Sequence, residues 1–206
     1  MAEELDPAAR RRDEILHAAL KLISEKGYQA LGIADIASEL GIGHGTFYRY
    51  FKNKQDVALA VLEEVIKRIT RVVTDIPATG IGTLEQYRER NALIGNALFD
   101  LMEEEPYIAK WISYEVLGMP VEVTDRIQAA FELFADHTEA YVKNGVDKGF
   151  LRQDTHTREA ARAVNAMIFE SVKQVLRSPG PREEIKNAWS DTIIGIMLDG
   201  LGARES

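Results

Sequence analysis

Along almost the whole chain, apolar residues recur at three- and four-residue spacing. They almost never alternate as a half-buried strand requires, so the pattern predicts an all-α protein. The first stripe is Ile15, Ala19, Leu22 and Ile23. It opens at Asp6-Pro7, an N-cap followed by proline at the first helical position, and stops at Gly27, which predicts a helix over 7–26. Ile33, Ile36, Ala37 and Leu40 form a shorter face ending at Gly41, where a left-handed cap fits. Gly41-Ile42-Gly43 then makes a tight turn, and another short helix starts near His44 or Gly45. In it Phe47 and Phe51 face inward, while His44, Thr46, Tyr48, Arg49 and Tyr50 project from the other sides. Residues 33–51 therefore read as a helix-turn-helix whose second helix suits a DNA groove.

Asn53-Lys54-Gln55-Asp56 is a relative of the capping box and opens a fourth helix. Its stripe of Ala58, Val61, Leu62, Val65, Ile69 and Val72 runs to about Thr74 without Gly or Pro. The first clear break, 77–82, comes only after it, so the head and the rest of the chain are expected to share this helix rather than a flexible linker. Leu84, Tyr87, Asn91, Ile94, Leu98 and Leu101 trace the next helix, which Pro106 ends. A short segment with Tyr107, Trp111, Tyr114 and Glu115 closes at 118–120. Ile127, Phe131, Phe134, Thr138, Tyr141 and Gly145 then mark a long helix ending at Gly149. Two final helices are predicted over 157–177 and 181–201, each apolar on more than one face. A surface helix needs only one such stripe. The surplus is covered either by thick packing within the chain or by a second copy, with Ile168 and Ile196 as the positions that would test the latter.

Net charge changes the picture only once it is divided. The whole 206-residue chain carries −8, a poor match for phosphates. Between Arg10 and Lys54, however, eight cations face five acids, so this stretch is +3 and the remainder −11. A basic head on an acidic body fits DNA binding through one end. Arg10, Arg11 and Arg12 stand near the start of helix 1, either reaching a phosphate or forming a solvated charge cluster. With no Cys, disulfides, thiolate nucleophiles and Cys-ligated zinc are all excluded, and a cytoplasmic protein without a membrane segment is expected.

The run GIGHGTFYRYFKNKQDV, preceded by GY and then IADIA, resembles the N-terminal domain of TetR/AcrR-type transcriptional regulators, across residues 10–61. The chain departs from that pattern at Leu31 and Gly32, where hydroxyl residues are usual, and at Gly43, where Ser is common. The resemblance implies a homodeomain-like, three-helix DNA-binding domain over 1–53. Through helix 4 this joins an antiparallel helical body over 54–206 that binds an effector and dimerises through the last two helices. By the same pattern Thr46, Tyr48, Tyr50 and Lys54 would touch phosphates of double-stranded operator DNA. His44, Gly45 and Arg49 would lie nearest base edges, Arg49 being suited to bidentate contact with guanine.

Catalytic chemistry finds no foothold. The four histidines are scattered, the lone Glu14-to-His17 ExxH lacks the second unit a di-iron bundle needs, and nucleotide and nucleophile-elbow motifs are absent. No metal and no cofactor is expected. In the body, the apolar residues Met102, Trp111, Tyr114, Phe131, Phe134 and Phe169 either line a cavity for a largely apolar small-molecule effector or serve as plain core. Tyr107, Met119 and Met167 belong to the same set. Asn91, Glu115, His137 and Asn165 are the polar groups that would accompany such a ligand. The expected function is a homodimeric regulator, a repressor released by its effector. The alternative is a helical interaction protein or enzyme keeping an unused head.

Overall fold

The computed structural model describes residues 6–111, 120–178 and 180–200. Tyr114, Glu115 and Met119 lie outside them. The elements in order are α1 (Pro7–Lys26), α2 (Ile33–Glu39), α3 (His44–Tyr48), α4 (Lys54–Thr74), α5 (Leu84–Glu104), α6 (Pro106–Lys110), α7 (Val121–Asp147), α8 (Thr157–Arg177) and α9 (Arg182–Gly195). The all-α class read from periodicity is the class observed, and the chain divides into two compact units. One comprises the described residues of 1–67 and 110–128, the other those of 68–109 and 129–206. Among the described residues no helix is long and apolar enough to cross a membrane.

The first unit is built on α1. Its N-cap Asp6 accepts from the Ala8 N–H at 3.3 Å, and it stops at Gly27, whose φ of 84° lets its N–H return to the Ile23 carbonyl. Ile15, Ala19, Leu22 and Ile23 are buried, and so are Ile36 and Ala37 of α2, Phe47 of α3, and Val57, Ala58, Val61 and Leu62 of α4. Two ion pairs flank this core, Lys21 to Glu39 at 2.6 Å and Lys26 to Asp35 at 3.1 Å. Asp35 also accepts from the Gly32 N–H at 2.7 Å. This backbone bond, with Lys26 second, holds its carboxyl below the usual range. Because Gly32 has no side chain to answer, α2 carries only half of a capping box. Leu31, where the family pattern favours a hydroxyl, is buried.

The second unit packs the last turns of α4 with α5, most of α7, α8 and α9. Tyr87 is fully buried on α5 and donates its hydroxyl to the Tyr141 carbonyl of α7 at 3.2 Å. A glycine sits inside α7 because a Cβ at Gly145 would lie 2.9 Å from Leu151 and 3.0 Å from the Tyr87 hydroxyl. The helix thus accepts a glycine's cost of about 1 kcal/mol to let these groups approach. Arg158 on α8 ties to α7 through Glu132, Asp136 and Glu139. The last predicted helix, 181–201, is observed as α9 followed by a π-helical turn, Ile196–Gly200. The wider turn buries Met197 and Leu198 together and leaves Ile196 at 52% exposure.

Candidate functional site: the recognition helix and the body cavity

In the head, Gly41 holds φ +62°, and the Ile42 N–H reaches back to the Ala37 carbonyl at 2.9 Å, the left-handed cap read from the sequence. The reversal aims α3 away from α2. Phe47 and Phe51 anchor it: both are core, with ring centroids 5.9 Å apart. The opposite face is open. His44, Gly45 and Arg49 are exposed, Tyr48 is 54% exposed, and Thr46 and Tyr50 are half-buried. Gly43 and Gly45 have no positive φ, and a Cβ on either would meet nothing within 4 Å. Nothing inside the protein therefore requires glycine at the start of α3.

Lys54 behaves differently from the other expected phosphate contacts. Its ammonium donates to the Tyr28 carbonyl at 3.0 Å and the Gln29 carbonyl at 3.3 Å, and lies 4.4 Å from the centre of the Tyr28 ring. It clamps the start of α4 to the α1–α2 turn. The reciprocal cap beside it, with Asn53 Oδ1 accepting from the Asp56 N–H and Asp56 accepting from the Lys52 N–H, both at 2.8 Å, fixes the same corner. Lys54→Met keeps the stem and removes these donors. It is expected to cost about 1–2 kcal/mol and lower the melting temperature by roughly 2–8 °C. Thermal unfolding followed by circular dichroism checks this, since a side chain serving DNA alone would leave the free protein's melting unchanged.

The arginines at the start of α1 have partners too: Glu14 pairs with Arg11 at 2.6 Å and Arg10 at 3.7 Å, while Arg12 lies over the Phe51 ring at 5.2 Å. Glu14, the acid of the ExxH, is thus engaged by cations. No group of three possible metal ligands occurs among the described residues.

The body contains a cavity of about 60 Å3. Val73 of α4, Asn91, Ile94, Leu98 and Phe99 of α5, His137, Thr138 and Tyr141 of α7, Val164, Ile168 and Val172 of α8, and Ile193 of α9 form most of its wall. Its polar groups are largely occupied by the protein. Asn91 Nδ2 donates to the Tyr87 carbonyl and Thr138 Oγ1 to Asn165 Oδ1, at 2.8 and 2.7 Å, and Ser171 donates to the Ile168 carbonyl at 2.7 Å. His137 Nδ1 lies 2.9 Å from the Leu133 carbonyl. The Tyr141 hydroxyl donates to the Ile76 carbonyl, two residues beyond α4. Burial pushes the Tyr141 pKa up to about 12, so this donor stays protonated at neutral pH.

Of the candidate ligand residues, the structure brings Asn91 and His137 to this wall and Met102 to a smaller adjoining cavity. Asn165 stands behind Thr138. Phe131 and Phe169 face each other edge-on at 4.8 Å, and neither they nor the half-buried Phe134 is part of the wall. Trp111 is buried in the other unit. The wall residues missing from the candidate set, such as Leu98, Tyr141, Ile168 and Val172, are mostly aliphatic. They sit in stripes visible in the sequence, and the signal that could have found them is the convergence of those stripes on one centre.

Residues 15–61 match the family described as bacterial regulatory proteins, tetR family. The fatty acid metabolism regulator protein of Bacillus subtilis (strain 168) is 23% identical over 189 residues, covering 91% of this chain and 94% of that protein. Among solved structures, the fatty acid degradation regulator FadR from Bacillus halodurans superposes with a TM-score of 0.78 at 22% identity, covering 98% of this chain and 100% of that one. The FadR regulator from Bacillus subtilis, solved in complex with stearoyl-CoA, gives 0.76 at 24% identity, covering 92% and 98%. The helix-turn-helix geometry and the match across residues 15–61 agree: this head is a DNA-binding domain of the tetR family of bacterial regulatory proteins, carried on a chain that aligns along nearly its whole length with a transcriptional regulator rather than an enzyme.

Proposed function

We propose that this protein is a homodimeric repressor that leaves a palindromic operator when a ligand bearing an apolar chain, of the acyl thioester class, enters the body cavity. The observation that carries this reading is α4. It is one unbroken helix, with its first turn clamped by Lys54 and the Asn53–Asp56 cap and Val73, near its end, in the cavity wall. The cavity is small, holding only about four or five water-sized groups. A long-chain ligand must move the walls, and only a ligand that favours one arrangement of α4 over the other shifts DNA binding. The acyl class is supported by the apolar wall, by the aligned fatty acid metabolism regulator and by the stearoyl-CoA held in the B. subtilis FadR structure.

In this reading residues 1–53 are the head and 54–206 the body, and the protein acts in the cytoplasm. Thr46, Tyr48 and Tyr50 meet phosphates, with Lys54 supporting them from behind, while His44, Gly45 and Arg49 approach base edges. Dimerisation uses α8 and α9. Ile168 lines the cavity, so the exposed Ile196 is the better interface position to probe.

Selecting bound duplexes from a random library, then titrating with stearoyl-CoA, tests the whole reading. Expected is an approximate palindrome with half-site centres about 34 Å apart or a small multiple, from which the protein dissociates as stearoyl-CoA is added. If no sequence is enriched, the head is unused and the interaction-protein alternative stands.

A further inference from the structure

Beside the main cavity lies a smaller one of about 20 Å3, lined by Phe99, Met102, Glu103, Val172, Val175, Arg182 and Lys186. Phe99 of α5 and Val172 of α8 line both. Each is buried, at 7% and 6% exposure, so two apolar side chains stand between the spaces. Beyond Met102 and Val175 the smaller cavity ends at charged groups. Lys186 pairs with Asp100 at 2.8 Å and Glu183 at 3.6 Å, and Arg182 lies 3.8 Å from Glu103.

We infer that Phe99 and Val172 form a partition that selects the chain length of the ligand. The inference rests on the proposed effector reading and adds the residues that set its specificity. The main cavity offers a bound molecule few free donors, because Asn91, Thr138, Ser171 and Tyr141 spend theirs on protein acceptors. Recognition there is by shape, and the shape that continues from one compartment to the next through a gap between two side chains is an unbranched alkyl chain. A short chain fills the main cavity alone. A longer one finds its next apolar space only by passing Phe99 and Val172 toward Met102 and Val175, and the ion pairs at the far end stop it. Burying methylenes under those charges brings no gain, because the ions would lose water or partners.

The partition can be opened and closed. Val172→Ala widens it and Phe99→Leu does so with less loss of volume, giving a second opening variant should either be too unstable to fold. Val172→Phe narrows it. For the wild type and each variant, circular dichroism establishes folding, and calorimetric titration of the full chain without DNA gives affinities for acyl-CoA thioesters of 4, 6, 8 and 18 carbons. One methylene in an apolar pocket is worth 10-fold or more in discrimination. The ratio of 6-carbon to 4-carbon affinity is therefore expected to rise about 10-fold on opening and fall about 10-fold on closing. A ratio unchanged in every folded variant, with binding retained, overturns the partition while leaving the effector reading intact. If no chain of any length binds wild type or variants, the effector reading fails and the partition with it.

Discussion

Gly45→Glu is expected to lower operator affinity by more than about 100-fold while leaving the free protein as stable as wild type or slightly more so. At this position a Cβ meets nothing within 4 Å, and the backbone is ordinary helix that any residue adopts. Glycine in a helix costs about 0.5–1 kcal/mol relative to alanine, so the fold has no reason to resist replacement. Gly45 lies between exposed His44 and half-buried Thr46, one turn before exposed Arg49, on the side of α3 opposite Phe47. A carboxylate there would be forced against phosphates or base edges, and like charges at an interface cost several kcal/mol. Gly45→Ala adds only a methyl and separates steric exclusion from charge. Thermal unfolding and gel-shift titration of both variants decide it. Operator affinity within threefold of wild type for Gly45→Glu would mean that this turn does not face DNA.

Most of the architecture was legible because it depends on local signals. Asp6-Pro7, Gly27 and Asn53–Asp56 act within a turn of their own positions, and all three mark helix ends where the structure has them. The cavity wall was not legible in the same way. On α7 the wall uses His137, Thr138 and Tyr141, while Phe131 turns to Phe169 of α8. On α8 the wall uses Val164, Ile168 and Val172, whereas Asn165 and Phe169 each follow a wall residue by one position. One step along a helix rotates a side chain by 100°, so a stripe two residues wide carries both wall and ordinary packing, and its period does not say which is which. Favouring aromatics over aliphatics then drew the candidate set toward the packed side. Lys54 is a different case: the resemblance to the family's pattern implied a phosphate contact, but the carbonyls it caps are 25 and 26 residues away in sequence. Only the folded corner of α1, α2 and α4 brings them within reach.

The other large effect concerns release. Stearoyl-CoA is expected to weaken operator binding by roughly 5- to 150-fold, the usual span of an allosteric coupling of 1–3 kcal/mol. Tyr141 is where this coupling is most open to a single-atom change. Its ring is part of the cavity wall and its hydroxyl holds the Ile76 carbonyl, just after the last turn of α4 closes with the Asp75 N–H on the Arg71 carbonyl at 3.0 Å. A ligand that displaces the ring pulls on that carbonyl. Tyr141→Phe keeps the ring and removes only the donor, a loss of about 1 kcal/mol, so the coupling factor should fall roughly fivefold with little change in the ligand's affinity for free protein. Linkage supplies an internal check, because operator DNA must weaken stearoyl-CoA binding by the same factor as stearoyl-CoA weakens operator binding, in wild type and variant alike. Calorimetry with and without saturating operator measures one side and gel-shift titration the other. Equal coupling in the two proteins would show that α4 is moved through Val73 and its packing alone, with the Tyr141 hydroxyl serving only to tie down the chain after the helix.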